Sequence, residues 1–196
     1  MSKRAKTSKA NGKNNTSKPD RGIETMFRVS SSNHQRLSDM ADKKAHILIT
    51  VNAIILSAII SLLLRRLNEQ PYLAVPTIIL IMVSLTTMTF AILATRPNIP
   101  KGKFTPEQLK NGPVNLLFFG NFYNMQPEAY HEAMLKVMND GELLYRNLIY
   151  DNYGQGIVLG KKYRQLRVAY NLFMVGLIVS TFAFLSAVLI HTQSIA

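Results

Sequence analysis

AHILITVNAIILSAIISLLL, residues Ala45 to Leu64, holds 20 residues without a permanent charge. At 1.5 Å per residue a helix of that length covers about 30 Å, the thickness of the hydrocarbon layer. Its six Ile, five Leu and one Val favour insertion by about 4–7 kcal/mol at the usual per-residue transfer values. His46 at the edge and Asn52 nearer the middle reduce that sum without reversing it. Arg65 to Pro71 is a tight polar loop. Tyr72 to Thr95 then supplies 24 more uncharged residues. Pro76 falls in the first turns of that second span, where a missing N–H does least harm.

The third apolar stretch is Val168 to Ile190, VAYNLFMVGLIVSTFAFLSAVLI. Lys161, Lys162, Arg164 and Arg167 precede it, and no Lys or Arg follows it. Charge and apolar surface are therefore segregated along the chain. This explains how 196 residues are 47% hydrophobic and only 17% charged, yet carry a net charge of +12. An ordinary soluble domain has about a quarter charged residues. The composition argues against an ordinary soluble enzyme and toward a membrane protein with basic flanks. Cysteine is absent, which removes disulfides, thiolate nucleophiles and zinc–thiolate sites.

The remaining segments are polar. Met1 to Arg21 is a basic tail with almost no apolar residues, too polar to offset chain entropy and so disordered. Its attraction to anionic lipid headgroups is favoured over nucleic-acid binding, since it lacks interleaved aromatics and a recognition helix. Asn33 to Lys44 reads as helix entering the first span. Arg96 to Arg167 is hydrophilic, with an irregular Pro- and Gly-containing start and a helical pattern over Pro127 to Asn147. Gly154, Gly156 and Gly160 predict a break in that helix. The chain divides into a disordered basic tail (1–27), a juxtamembrane helix and transmembrane hairpin (28–95, with spans 45–64 and 72–95), a cytoplasmic segment (96–167) and a third transmembrane helix (168–190). The fold class is an all-α membrane protein with three transmembrane helices and a helical cytoplasmic segment between the second and third.

No catalytic constellation emerges. There is no phosphate loop, and the glycine spacing at Gly154, Gly156 and Gly160 is one residue too long for a dinucleotide fingerprint. His34, His46, His131 and His191 do not pair at ligand spacing. Glu128 and Glu132 share a helix face, but with no nucleophile or metal partner they read as a solvated surface. Within the spans, Ala53, Ser57 and Ser61 recur every four residues beside Asn52. Gly176, Ser180, Ala183 and Ala187 form a second small-residue stripe. Such stripes let helices approach closely. They fit packing of the three helices within one chain, or assembly of several chains into a homo-oligomer.

Asp42-Lys43-Lys44-Ala45 running into ITVNAIILS (Ile49 to Ser57), FFGNF (Phe118 to Phe122), PEAYHEAM (Pro127 to Met134) and KKYRQLRVAYNLFMVGL (Lys161 to Leu177) resemble the transmembrane effector family of the Pycsar antiphage system. The likeness runs over residues 33–190, and the basic tail departs from it. The resemblance implies a non-enzymatic effector of the bacterial inner membrane. A partner pyrimidine cyclase would supply cyclic CMP or cyclic UMP as the activating ligand. The effector would respond by impairing membrane integrity, so that the infected cell stops before phage mature. No cofactor is implied. A cyclic mononucleotide needs a cation for its phosphate and an aromatic ring for its base. Lys161, Lys162, Tyr163 and Arg164 offer both, with Phe119 and Tyr123 as further stacking partners. The alternative is a membrane-anchored scaffold or adaptor whose cytoplasmic segment binds another protein.

Lys and Arg number 11 in residues 1–44, two in 65–71, ten in 96–167 and none after 190. The positive-inside rule then places the N-terminus and the long loop in the cytoplasm and the C-terminus outside. A reporter active only in the cytoplasm should be silent when fused at the C-terminus and active when inserted at Gly112. The reverse pattern overturns this topology.

Overall fold

The computed structural model describes residues 20–63, 66–97 and 115–195. Among them there are only helices: α1 (Asp20–Ala58), α2 (Ala74–Thr95), α3 (Phe119–Phe122), α4 (Pro127–Asn139) and α5 (Gly141–Ile195). A π-helical turn, Ile59–Leu63, ends α1, and a 3-10 turn, Pro71–Leu73, leads into α2. Three helices are long and apolar enough to cross a membrane.

Local sequence explains the boundaries. From Ile23 to Glu69 there is neither Gly nor Pro, so nothing interrupts α1 before the loop. It begins at Asp20, inside the stretch assigned from sequence to the tail; the rest of that tail, up to residue 19, lies outside the described residues. Helix α2 tolerates Pro76 in its first turn, where backbone N–H groups have no intrahelical partner. It stops at Arg96, whose extended backbone (φ −61°, ψ 127°) is what a following proline, Pro97, imposes.

The expected break at Gly154 to Gly160 does not occur; α5 is continuous for 55 residues. The chain breaks instead at Asp140, which is extended (φ −121°, ψ 106°). Its Oδ1 accepts the backbone N–H groups of Glu142 and Leu143 at 2.9 and 3.2 Å, an N-cap for α5. A helical glycine costs about 1 kcal/mol relative to alanine. Tertiary hydrogen bonds from this part of α5 to α1 offset that cost. Ser30 Oγ donates to Asn152 Oδ1 at 2.8 Å and Ser31 Oγ to Gln155 Oε1 at 3.3 Å.

Helices α1 and α5 run parallel. Ser30 meets Asn152, Leu37 meets Tyr163 and Lys44 meets Tyr170, so both chains advance together. Helix α2 runs against them: Val83 packs on Gly176, and the rings of Tyr72 and His191 stack at 4.0 Å. At 1.5 Å per residue α1 and α5 are about 58 and 82 Å long, against about 30 Å of hydrocarbon. Their polar N-terminal halves therefore leave the apolar layer on the same side.

The spans are packed small side inward. Ala41, Ala45 and Leu48 of α1, Ala91 and Ala94 of α2, and Leu166 and Ala169 of α5 form the buried core. Large side chains such as Ile47, Ile54, Ile78, Met82, Phe182 and Leu189 point outward. Lipid tails are as apolar as leucine, so burying leucine between helices gains little; close backbone approach gains dispersion contacts instead. The buried positions 45, 48, 52 and 59, with 84, 87, 91 and 94, and 166, 169, 176 and 180 recur at steps of three, four and seven, a heptad seam.

Two of the small-residue stripes separate here. Asn52, Gly176 and Ser180 are buried between helices, whereas Ala53, Ser57 and Ser61 are exposed on the outer face of α1. At Gly176 the two backbones approach so closely that an added Cβ would collide with Val83 Cγ1 and lie 2.7 Å from Val83 Cγ2 and 3.0 Å from Val83 Cβ. Val83 is β-branched and cannot rotate clear. Gly176→Ala should therefore destabilise the α2–α5 crossing by about 1–3 kcal/mol, read by denaturant unfolding in detergent. Adding Val83→Ala should restore most of the loss. If the double variant is no more stable than the single one, the close approach is not what glycine provides.

Candidate functional site

Where α1 and α5 emerge from their apolar segments, a polar interface replaces the alanine seam. Lys162 Nζ lies 2.8 Å from Asp42 Oδ2, and it also donates to Asp42 Oδ1 and Ser38 Oγ, each at 2.9 Å. It is the one ion pair among the described residues. Tyr163 donates its hydroxyl to the Leu37 carbonyl at 3.2 Å, and Tyr170 to the Lys44 carbonyl at 3.4 Å. Both tyrosines thus reach across to α1 and hold their rings against it.

Between these two rings lies an open groove of about 390 Å³, lined by Lys44, Tyr163, Leu166, Arg167 and Tyr170. Tyr163, Leu166, Arg167 and Tyr170 fall at spacings of three, four and seven, which is one face of α5. Lys44 comes from α1. Neither Lys44 nor Arg167 is in an ion pair with a carboxylate among the described residues. The groove thus combines two uncommitted cations with two aromatic faces at the boundary between the polar and apolar parts of the helices. A monoanion carrying a planar ring matches that donor set, through charge-assisted hydrogen bonds and ring stacking.

The residues singled out from sequence do not form one cluster. Tyr163 is in the groove. Lys162 is on the other flank of the helix pair, held by Asp42 and Ser38. Lys161 and Arg164 are exposed on neighbouring turns of α5. Phe119 and Tyr123 belong to a separate unit, which docks lower on α5. There the Leu116 N–H donates to Asn147 Oδ1 at 3.1 Å and Asn115 Nδ2 to Asp151 Oδ1 at 2.8 Å. Asn147 precedes Lys162 by 15 residues, about 22 Å along the helix, so the structure does not bring Phe119 and Tyr123 to the basic cluster. In that unit the rings of Phe118 and Phe119 lie 4.9 Å apart and those of Phe122 and Tyr130 4.7 Å apart.

Sequence reasoning missed Lys44, Arg167 and Tyr170 as groove residues. The signal for two of them was present, since Tyr163, Arg167 and Tyr170 share a helical face. Lys44 carried none, because only the parallel register of α1 and α5 brings it there. Among the described residues no cluster of three or more His, Asp or Glu is placed to hold a metal ion.

A family model described as the Pycsar effector protein domain matches residues 25–190 of the chain. That range takes in all three apolar helices, the polar interface and the groove. Comparison with curated proteins and with solved structures finds no match.

The Lys162–Asp42 pair is part-exposed, with 18% and 33% of the two side chains accessible, so its strength lies in its two short hydrogen bonds, and the third that Lys162 makes to Ser38, as much as in charge. Asp42→Ala should loosen the polar halves of α1 and α5, seen as about tenfold faster amide exchange over residues 30–44. The charge swap Asp42→Lys with Lys162→Asp should recover protection. If Asp42→Ala leaves exchange unchanged, the pair does not hold the two helices together.

Proposed function

The chain belongs to the Pycsar effector family, whose members act in antiviral defence, and on that premise we propose that it converts a cyclic pyrimidine mononucleotide signal into membrane damage. It sits in the bacterial inner membrane with its N-terminus in the cytoplasm. Cyclic CMP or cyclic UMP, made by a partner pyrimidine cyclase during infection, binds it and triggers loss of membrane integrity. The infected cell then fails before phage mature.

The observation that carries this reading is the groove of Lys44, Tyr163, Arg167 and Tyr170 between α1 and α5. The cyclic phosphate pairs with Arg167 and Lys44, and the pyrimidine stacks on a tyrosine ring. Lys161 and Arg164, exposed on adjacent turns, add positive potential that draws the anion in. Its walls come from two helices, so ligand binding depends on how those helices lie against each other. That dependence is what a trigger requires, because a ligand with equal affinity for both states shifts nothing. A hundredfold preference for the damaging state supplies about 2.7 kcal/mol, enough to raise a 1% minor state to about half the molecules.

Purified protein titrated with a panel of cyclic mononucleotides should bind a cyclic pyrimidine form and not the purine forms. Arg167→Ala should weaken binding about 10- to 100-fold, as expected for losing a charge-assisted hydrogen bond. It should also abolish messenger-dependent toxicity while the protein still inserts. Tyr163→Phe, which keeps the ring, should bind better than Tyr163→Ala. Failure to bind any cyclic nucleotide overturns the reading, and parent-like binding by Arg167→Ala overturns this site.

A further inference from the structure

Hydroxyl groups in the three spans differ in whether they find a partner, and burial alone does not decide it, since Thr77, 1% exposed, donates to the Leu73 carbonyl at 2.6 Å. Thr50, Thr86, Thr89 and Thr181 each donate to the carbonyl four residues back, at 2.7 to 2.9 Å. That is the usual arrangement for a hydroxyl in hydrocarbon, where no water can serve it. Ser84, Thr87 and Ser180 are each no more than 2% exposed, and their hydroxyl oxygens have no hydrogen-bond partner. Asn52, fully buried, spends its amide Nδ2 on the Leu48 carbonyl at 2.8 Å, while its Oδ1 has no partner. These four lie on the buried seam, one or more from each of α1, α2 and α5; the other buried side-chain atom without a partner among the described residues, His34 Nδ1, is in the polar half of α1.

Their order along the bundle is set by register. Asn52 is one heptad from the core residue Ala45, and Thr87 one heptad from Ala94. Ser84 is the next seam position of α2. Val83 lies against Gly176, so Ser180, one turn further along α5, stands about two turns beyond Thr87. The polar file therefore runs about 10 Å through the apolar layer. Valine or alanine would fill the same seam without stranding a polar atom. Between this file and the polar halves of the helices lies a dry layer, Ala41, Ala45, Leu48, Ala91, Ala94, Leu166 and Ala169. The Lys162–Asp42 pair clasps α1 to α5 at the polar edge of that layer, where Asp42 follows Ala41.

We propose that Asn52, Ser84, Thr87 and Ser180 form the water-facing wall of an ion path that opens along the seam when the protein is active. In the resting bundle the alanine–leucine layer closes the path, as an apolar constriction that excludes water. When α1 and α5 shift, the seam hydrates and the four stranded groups gain water as their partner. The wall is uncharged, so the path passes small hydrated ions of either sign. This inference rests on the membrane-damage reading above and names how the damage is done.

The absence of cysteine makes the test direct. Ser180→Cys is near-isosteric, and Thr87→Cys loses only a methyl group. Thr89→Cys is a control at the same depth on the outer face of α2. Each full-length variant is placed in liposomes holding a chloride-quenched dye and treated with a charged, membrane-impermeant thiosulfonate, with and without cyclic CMP or cyclic UMP. The nucleotide that lets chloride in should raise labelling at Thr87→Cys and Ser180→Cys about tenfold or more, since a thiolate forms only in contact with water. Thr89→Cys should stay unlabelled. Thr87→Val, which removes only the hydroxyl, should slow chloride entry. Chloride entry with both seam cysteines unreactive overturns the path but leaves the membrane-damage reading standing. Equal labelling of Thr89→Cys, or escape of the dye itself, also overturns it, in favour of general disruption of the bilayer. If neither nucleotide admits chloride or releases dye with the parent protein, the membrane-damage reading fails and the path with it. Should a cysteine variant misfold, unchanged chloride entry with Thr87→Val is sufficient to overturn the path.

Discussion

Close approach of helix backbones inside an apolar solvent is the constraint on which the rest of this structure depends. In water, burying Leu and Ile between helices would hold them together; in hydrocarbon those side chains gain little by leaving the lipid. The chain therefore turns many of its large aliphatics outward and Ala45, Ala91, Ala94, Ala169 and Gly176 inward. In that packing Gly176 lies so close to Val83 that an added Cβ there would collide with it. Ala45, Ala91 and Ala169, each fully buried, are its continuation toward the polar halves of α1 and α5. Once the three backbones are this close, the relative positions of every side chain beyond the apolar layer follow from helical rise.

The parallel register of α1 and α5 is the main consequence. It brings Asp42 to Lys162, Leu37 to Tyr163 and Lys44 to Tyr170, and so builds both the clasp and the groove. These features lie on one continuous pair of rods that pass from the polar side into the apolar layer. On the proposed function, a ligand held between the rods would act on the same two helices that pack the seam.

Much of this was legible in the residues. Three uncharged stretches of the right length, with basic flanks, are enough to read three crossing helices, because the cost of placing charge or unpaired backbone in hydrocarbon leaves few alternatives. The family likeness was carried by the same segments that build the helix pair, and the family match over residues 25–190 shows it. The glycine run misled. Propensity at Gly154, Gly156 and Gly160 favoured a break, but Ser30 and Ser31 hydrogen-bond to Asn152 and Gln155 across the interface, and local preference lost to tertiary contact. The true break, at Asp140 before Gly141, uses an ordinary aspartate cap.

What the amino-acid sequence determined by itself was solvent: which segments belong in lipid, which in water, and how many times the chain crosses. Those are properties of single helices, set by length and composition. Which small residues face a neighbour was decided only by tertiary structure. Asn52 and Ala53 are adjacent in sequence, yet the first is buried in the bundle and the second is exposed on its outer face. The pairing of Lys44 with Tyr163, Arg167 and Tyr170 was also decided there. Those groups are more than 100 positions apart in the chain, and only the rotation and register of two packed helices put them on one groove.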